Sequence, residues 1–183
     1  MQLSECLLLF GGLLLACSPV SAYLVDDTGM PAPFGIIPDA NRTLREIIES
    51  KGYPCEVHMA QTADGYLLPV YRIPPKQGTV SRGAVFLQHG LEDIGATWFL
   101  NLANQSLGFI LADAGYDVYA GNNRGTDWTS HISLDPNSDA FWDFSYDEFA
   151  QFDLPAQVEL ALAVSGTKRL SYIGHSQGTF QSC

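Results

Sequence analysis

Residues Leu170 to Gly178 read LSYIGHSQG, a short apolar run that breaks at once into G-x-S-x-G. Where this pattern follows a buried strand and opens a helix, the serine sits on a strained turn that pushes its hydroxyl out above a sheet. Ser176 is that serine. Gly174 and Gly178 flank it because neighbouring chain passes so close to the turn that a Cβ at either place would clash. Leu170, Tyr172 and Ile173 supply the strand, and Thr167, Lys168 and Arg169 give it a polar entry. The pattern alone is common, so the surrounding chain has to carry the reading.

Working outward, Asp153 with Pro155 predicts the cap and first turn of a helix running to Val164, ahead of Ser165-Gly166. Ser145 to Glu148 is a capping box opening a separate segment in which Phe149 and Phe152 share a face. Trp128 to Trp142 reads as a long irregular surface stretch, and Gly121 to Gly125 as a turn. Tyr116 to Ala120 is a strand preceded by a helix, Ser106 to Ala114, whose apolar stripe is Leu107, Ile110 and Leu111. Gly83 to Gln88, GAVFLQ, is a strand covered on both faces, and it ends in His89-Gly90-Leu91. A loop leaving such a strand's carboxyl end is where open α/β sheets bind ligands. Asp64-Gly65 between Cys55–Gln61 and Tyr66–Ile73 marks a hairpin, and Pro69 predicts an edge position for its second strand. Arg42 to Lys51 is a short helix with Leu44, Ile47 and Ile48 on one face, and Gly52 at its end. The alternation of strands and helices predicts an α/β fold with a mostly parallel sheet and flanking helices.

The 183 residues are 46% hydrophobic, enough for one sizeable core, with no internal repeat and no linker. Nine Lys+Arg against 20 Asp+Glu leave a formal charge of −11, which disfavours a nucleic-acid partner and suits a neutral substrate. Residues 1–22 read as a secretory signal. Cys6 to Ala16 is its apolar core, too short for a transmembrane span, and Val20-Ser21-Ala22 precedes cleavage before Tyr23. A competing reading takes Leu14 to Cys17 as a lipoprotein box. Residues 23–41 form a lead to the main domain, 42–183. Cys55 is a packed residue, and the cysteine spacing fits no metal or thiol-redox motif. Asn41 and Asn104 head acceptor sequons for N-glycosylation.

An ester-cleaving serine needs a base, a group to orient that base, and donors aimed at the oxyanion. On a strand–elbow–helix architecture one donor is the backbone N–H after the nucleophile, here Gln177, and the other comes from the loop after the third strand. His89-Gly90-Leu91 occupies that place, with the Leu91 N–H as donor. Gly52-Tyr53-Pro54, Arg72-Ile73-Pro74, Gln88-His89-Gly90-Leu91, Gly121 to Gly125, Phe141-Trp142-Asp143-Phe144-Ser145, Asp153-Leu154-Pro155 and Gly174 to Gly178 together resemble the acid lipase family, which includes gastric and lysosomal acid lipases. The resemblance runs from about Arg42 to the end. It implies an α/β-hydrolase acting on triacylglycerols or sterol esters at a lipid–water interface, secreted or lysosomal, with no metal or organic cofactor. It also implies Ser176 as nucleophile, with Leu91 and Gln177 forming the oxyanion hole.

The chain departs from the family where Leu91 is followed by Glu92-Asp93 in place of apolar residues. The fold's triad runs Ser, then Asp or Glu, then His, and only Gln177 to Cys183 follow the serine. The sequence is therefore expected to be a fragment, truncated after the elbow, that hydrolyses esters negligibly by itself. His175 is expected to point away from the site, and His58 and His131 to be solvent-exposed. Arg124 reads as a turn-fixing ion pair, and Trp128, Phe141, Trp142 and Phe144 as packing over the sheet edge. Two rivals stay open: another hydrolase on this fold (esterase, thioesterase or peptidase), and a short product that binds lipid or a partner without catalysis.

Overall fold

The computed structural model describes residues 38–182. The expected leader, 1–22, and most of the lead, 23–41, lie outside the described residues. Among the described residues six strands form one sheet: β1 (Glu56–Gln61), β2 (Tyr66–Ile73), β3 (Ala84–Gln88), β4 (Asp117–Ala120), β5 (Ser130–His131) and β6 (Leu170–Gly174). Their order is β1-β2-β4-β3-β6, with β5 pairing on β2. β3 runs parallel to β4 and β6, while β2 is antiparallel to β1, β4 and β5, so the sheet is mixed. The chain leaves β3 for β4 on one side and returns across to β6 on the other. The crevice above the carboxyl end of β3 is thus a topological switch point, where such sheets bind ligands.

All five residues of β3 are buried because both sheet faces are covered. Val85 and Leu87, with Val118 and Ala120, face one core built with α1 (Leu44–Ser50) and α2 (Leu107–Asp113). Ala84, Phe86 and Tyr119 face another, built with α4 (Leu154–Ser165). α1 opens on a capping box, in which the Thr43 N–H donates to Glu46 Oε2 at 2.7 Å and the Glu46 N–H to Thr43 Oγ1 at 3.3 Å.

Three local expectations are corrected by distant contacts. Pro69 lies in β2, between β1 on one side and β4 and β5 on the other, and not on an edge. Its ring is tolerated because Thr62 donates to the Tyr66 carbonyl, so alternation along the hairpin makes Met59–Pro69 a pair that exchanges no hydrogen bond. On its other side the Pro69 carbonyl accepts from Asn122 Nδ2 at 2.9 Å. In α2 the buried residues are Gly108 and Phe109, and Ile110 is 44% exposed. A Cβ on Gly108 would lie 2.0 Å from Phe99 Cε1, so the Phe99 ring packs directly on the helix backbone and turns Ile110 outward.

Asp153 does not cap a new helix. α3 (Tyr146–Glu148) continues through a π turn, Phe149–Asp153, straight into α4. Pro155 cannot donate within the ladder, and the wide turn sits just before it. The Asp153 side chain is drawn inward instead, to Arg124. His131 and His58 are also half-buried and not solvent-exposed. His131 Nε2 donates to the Asp64 carbonyl at 2.9 Å, and its Nδ1 accepts the N–H groups of Ser133 and Leu134, both at 3.0 Å, which pins β5 against β2. His58 meets Glu56 Oε2 at 2.9 Å.

Candidate active site

β6 ends at Gly174, and Ser176 then takes φ +51°, ψ −117°, a region that residues with a side chain rarely occupy. The turn is held by backbone. The His175 N–H donates to the Gln88 carbonyl at 3.0 Å, extending the β6–β3 ladder by one bond. The Gly178 and Thr179 N–H groups return to His175 and Ser176 carbonyls at 2.8 and 2.9 Å, which starts α5 (Gln177–Phe180). Tyr172 donates its hydroxyl proton to the Gly178 carbonyl. A Cβ on Gly174 would lie 2.6 Å from Gly178 C, and one on Gly178 would lie 2.6 Å from the Gln88 carbonyl oxygen. Neither position admits a side chain, because the turn is wedged between its own helix and the end of β3.

Gly90 lies against this turn: a Cβ there would be 3.1 Å from Ser176 Cβ and 3.2 Å from His175 Nδ1. His175 thus lies over Gly90. Among the described residues no side chain hydrogen-bonds Ser176 Oγ, and the hydroxyl stands in solvent-exposed surface. The N–H groups of Leu91 and Gln177 likewise have no protein acceptor among the described residues. For Gln177 the reason is its place at the start of a helix, where the first donors lack intrahelical partners.

For Leu91 the reason is His89. The Asn123 N–H donates to His89 Nε2 at 3.1 Å, so the ring proton sits on Nδ1, which donates to the Gly90 carbonyl at 2.7 Å. In a planar trans peptide the N–H opposes the C=O. Holding the Gly90 carbonyl on the imidazole therefore turns the Leu91 N–H away from it. Burial lowers the His89 pKa and outweighs the hydrogen bond to Gly90, which favours the neutral ring.

Behind these loops lies a buried polar brace that local sequence reading does not reveal. Gln88 Nε2 donates to Asn123 Oδ1 at 3.0 Å, the Asn122 N–H to Gln157 Oε1 at 2.9 Å, and the Gly95 N–H to Asn122 Oδ1 at 2.9 Å. Arg124 is only 3% exposed. Its Nε and N–H both reach Asp153 at 2.8 Å, its terminal nitrogens reach Asp64 at 2.6 and 2.9 Å, and its plane lies 4.0 Å from the Tyr66 ring centroid. Partial burial works to raise the Asp64 pKa, but the hydrogen bonds from Arg124 and Thr62 outweigh it and hold the carboxyl below its ordinary range. The signal was an Asn-Asn-Arg run directly after a fully buried strand.

A cavity of about 480 Å³ opens beside the Leu91 and Gln177 N–H groups, lined by His89-Gly90-Leu91, Gln177, Trp142, Phe144, Phe149 and the carboxylates Glu92, Asp93 and Asp127. The four aromatics divide. Phe141 is 2% exposed under Tyr66, and Phe144 is half-buried, whereas Trp142 and Trp128 are 53% and 58% exposed.

Residues 83–183 match the family model described as alpha/beta hydrolase fold. The chain belongs to that family. Residues 44–102 match a partial alpha/beta-hydrolase lipase region, and within the α/β-hydrolases the sequence groups with the acid lipases. Over 147 residues it is 50% identical to lipase member K of Mus musculus. Over the same length it is 48% identical to gastric triacylglycerol lipase of Bos taurus and to lysosomal acid lipase/cholesteryl ester hydrolase of Homo sapiens. Each match covers 78% of this chain and 37% of the relative, so the hydrolase chain spans little more than a third of these relatives' length. Among solved structures an esterase of Pyrococcus furiosus shares the fold, with a TM-score of 0.57 at 19% identity over 78% of this chain and 46% of that one. Among the described residues no helix is long and apolar enough to cross a membrane.

Proposed function

We propose that this chain carries the nucleophile and both oxyanion donors of a serine-dependent carboxylic ester hydrolase of the lipase type. Its substrates are triacylglycerols or sterol esters met at a lipid–water interface, and it needs no metal or organic cofactor. The observation that carries the reading is a strained, exposed Ser176 packed against Gly90, with the N–H groups of Leu91 and Gln177, which have no acceptor among the described residues, lining one cavity beside it. Ser176 Oγ attacks the ester carbonyl, and the carbonyl oxygen gains negative charge as the tetrahedral intermediate forms. The two N–H groups, which have no acceptor among the described residues, stabilise that charge. The serine proton must leave to a base, and no histidine among the described residues bonds the hydroxyl. The acid and base of the triad are therefore supplied from outside these 183 residues, whose residues 42–183 form a partial lipase domain.

The names of the gastric and lysosomal relatives support a secreted or lysosomal product, and the small residues Val20-Ser21-Ala22 ahead of Tyr23 support cleavage after Ala22. Glycan is carried at Asn41 more readily than at Asn104. Both asparagines are exposed, but the sequon hydroxyl of Ser106 is buried and donates to the Asn101 carbonyl at 2.9 Å, while Thr43 is exposed. The test joins this chain to the part of the bovine gastric lipase that follows its matched stretch. The joined protein should hydrolyse p-nitrophenyl esters of rising chain length and leave thioester and peptide substrates untouched. Preference for a thioester or a peptide would replace the lipase reading with another hydrolase.

A further inference from the structure

We propose that the carboxylates of Glu92, Asp93 and Asp127 make the cavity beside Ser176 select esters by charge, admitting uncharged and cationic ones and excluding those that carry a carboxylate or phosphate. The proposal rests on the reading of Ser176 as nucleophile. The charged groups lining the cavity are these three carboxylates and Arg124. Arg124 offers nothing to an anion: its guanidinium is spent on Asp64 and Asp153, and its plane lies against Tyr66. His89, also in the wall, is buried and favours the neutral ring.

The three carboxylates, by contrast, have no cationic partner among the described residues. Asp93 accepts the Ile94 N–H at 2.8 Å, which fixes its side chain but leaves its charge. Glu92 holds a left-handed backbone at φ +54°, and it immediately follows the Leu91 donor. Trp142 and Phe144 also line the cavity, and aromatic faces attract cations and repel anions. Low-dielectric walls carrying one sign of charge focus the field on whatever enters.

On this reading the oxyanion itself is met by the N–H groups of Leu91 and Gln177, both of which line the cavity. The remainder of the substrate meets the acidic wall.

The test uses the chain joined to the bovine continuation, at pH 7 and low salt, on matched pairs of p-nitrophenyl esters. One pair is the methyl glutarate ester against the free hydrogen glutarate, and the other is the 4-trimethylammoniobutyrate against its uncharged carbon isostere. The uncharged glutarate should exceed the anionic one in kcat/KM by roughly tenfold or more, and the cationic ester should match or exceed its isostere. Added salt should shrink the glutarate ratio, since screening weakens the field. The triple variant E92Q/D93N/D127N should bring it to within about twofold. Equal hydrolysis of the glutarate pair by the parent, or a ratio unchanged in the triple variant, overturns the proposal.

If neither ester is cleaved, the nucleophile reading fails, and the pocket charge is read without catalysis. In the 183-residue chain with Trp98→Phe and Trp128→Phe, only Trp142 fluoresces. Relative to free N-acetyltryptophanamide under the same conditions, the caesium-to-iodide quenching ratio of Trp142 should be several-fold higher, and the triple variant should return it to the free value. A ratio in the parent equal to that of the free amide overturns the charge selection.

Discussion

On the oxyanion side Gln88, His89, Asn122, Asn123, Arg124, Asp153 and Gln157 are each at most 4% exposed and are tied to one another or to nearby backbone. On the Ser176 side the serine is exposed, Phe180 is 72% exposed, and the turn is held by backbone bonds, the hydroxyls of Tyr172 on the Gly178 carbonyl and Thr179 on the Gly174 carbonyl, and two glycine contacts. β3 is buried throughout, whereas no residue of β6 is fully buried. The difference teaches that the loop carrying the Leu91 N–H is set by side chains this chain itself buries, and the Ser176 turn by how closely β6 and its elbow seat on β3.

Breaking the brace should cost most. Arg124→Met leaves Asp153, 0% exposed, as an uncompensated charge, and unfolding in urea should show a loss of about 3–5 kcal/mol. A loss under about 1 kcal/mol would place the support of the oxyanion side elsewhere. On the other side, Gly178→Ala forces a methyl against the Gln88 carbonyl and should cost about 1–3 kcal/mol. Were the alanine neutral, β6 would not be seated as closely on β3 as these contacts require.

Thr43→Ala, remote from both halves, removes one arm of the capping box and should cost about 1 kcal/mol in the same assay. It sets the scale against which the other two are read. The smallest effect is a slope. Because burial depresses the His89 pKa, the unfolded chain binds that proton more readily than the folded one. Its contribution to stability is present above the ordinary value of 6.5 and is lost as pH falls below it. His89→Gln should flatten the dependence of the urea midpoint as pH falls below 6.5. An unaltered slope would show that the ring does not stay neutral against Asn123.

What was legible in the sequence was whatever depends on neighbours in the chain. The hairpin at Asp64-Gly65, the run into Gln88 and the capping box at Ser145 each follow from residues within a few positions of one another. So does the placement of Gly174 and Gly178 around Ser176. The misreadings share the opposite property. Pro69 is accommodated by Asn122, Ile110 is turned out by Phe99 packing on Gly108, Asp153 is claimed by Arg124, and His131 is held by Asp64. Each partner is far away in sequence, and no periodicity encodes it. The His89 proton belongs to the same class, since its position depends on the N–H of Asn123.

The most direct test of Ser176 as a nucleophile waiting on an outside base is hydrolysis of a short-chain p-nitrophenyl ester by residues 23–183 alone and by the same residues joined to the bovine continuation. The chain alone should stay at background. The joined protein should turn over, and Ser176→Ala should lower its kcat by about 10⁴ or more. Robust turnover by residues 23–183 alone, lost on Ser176→Ala, would contradict the outside base and send the search to His58, His89, His131 and His175; activity of the joined protein that survives Ser176→Ala would contradict the nucleophile itself.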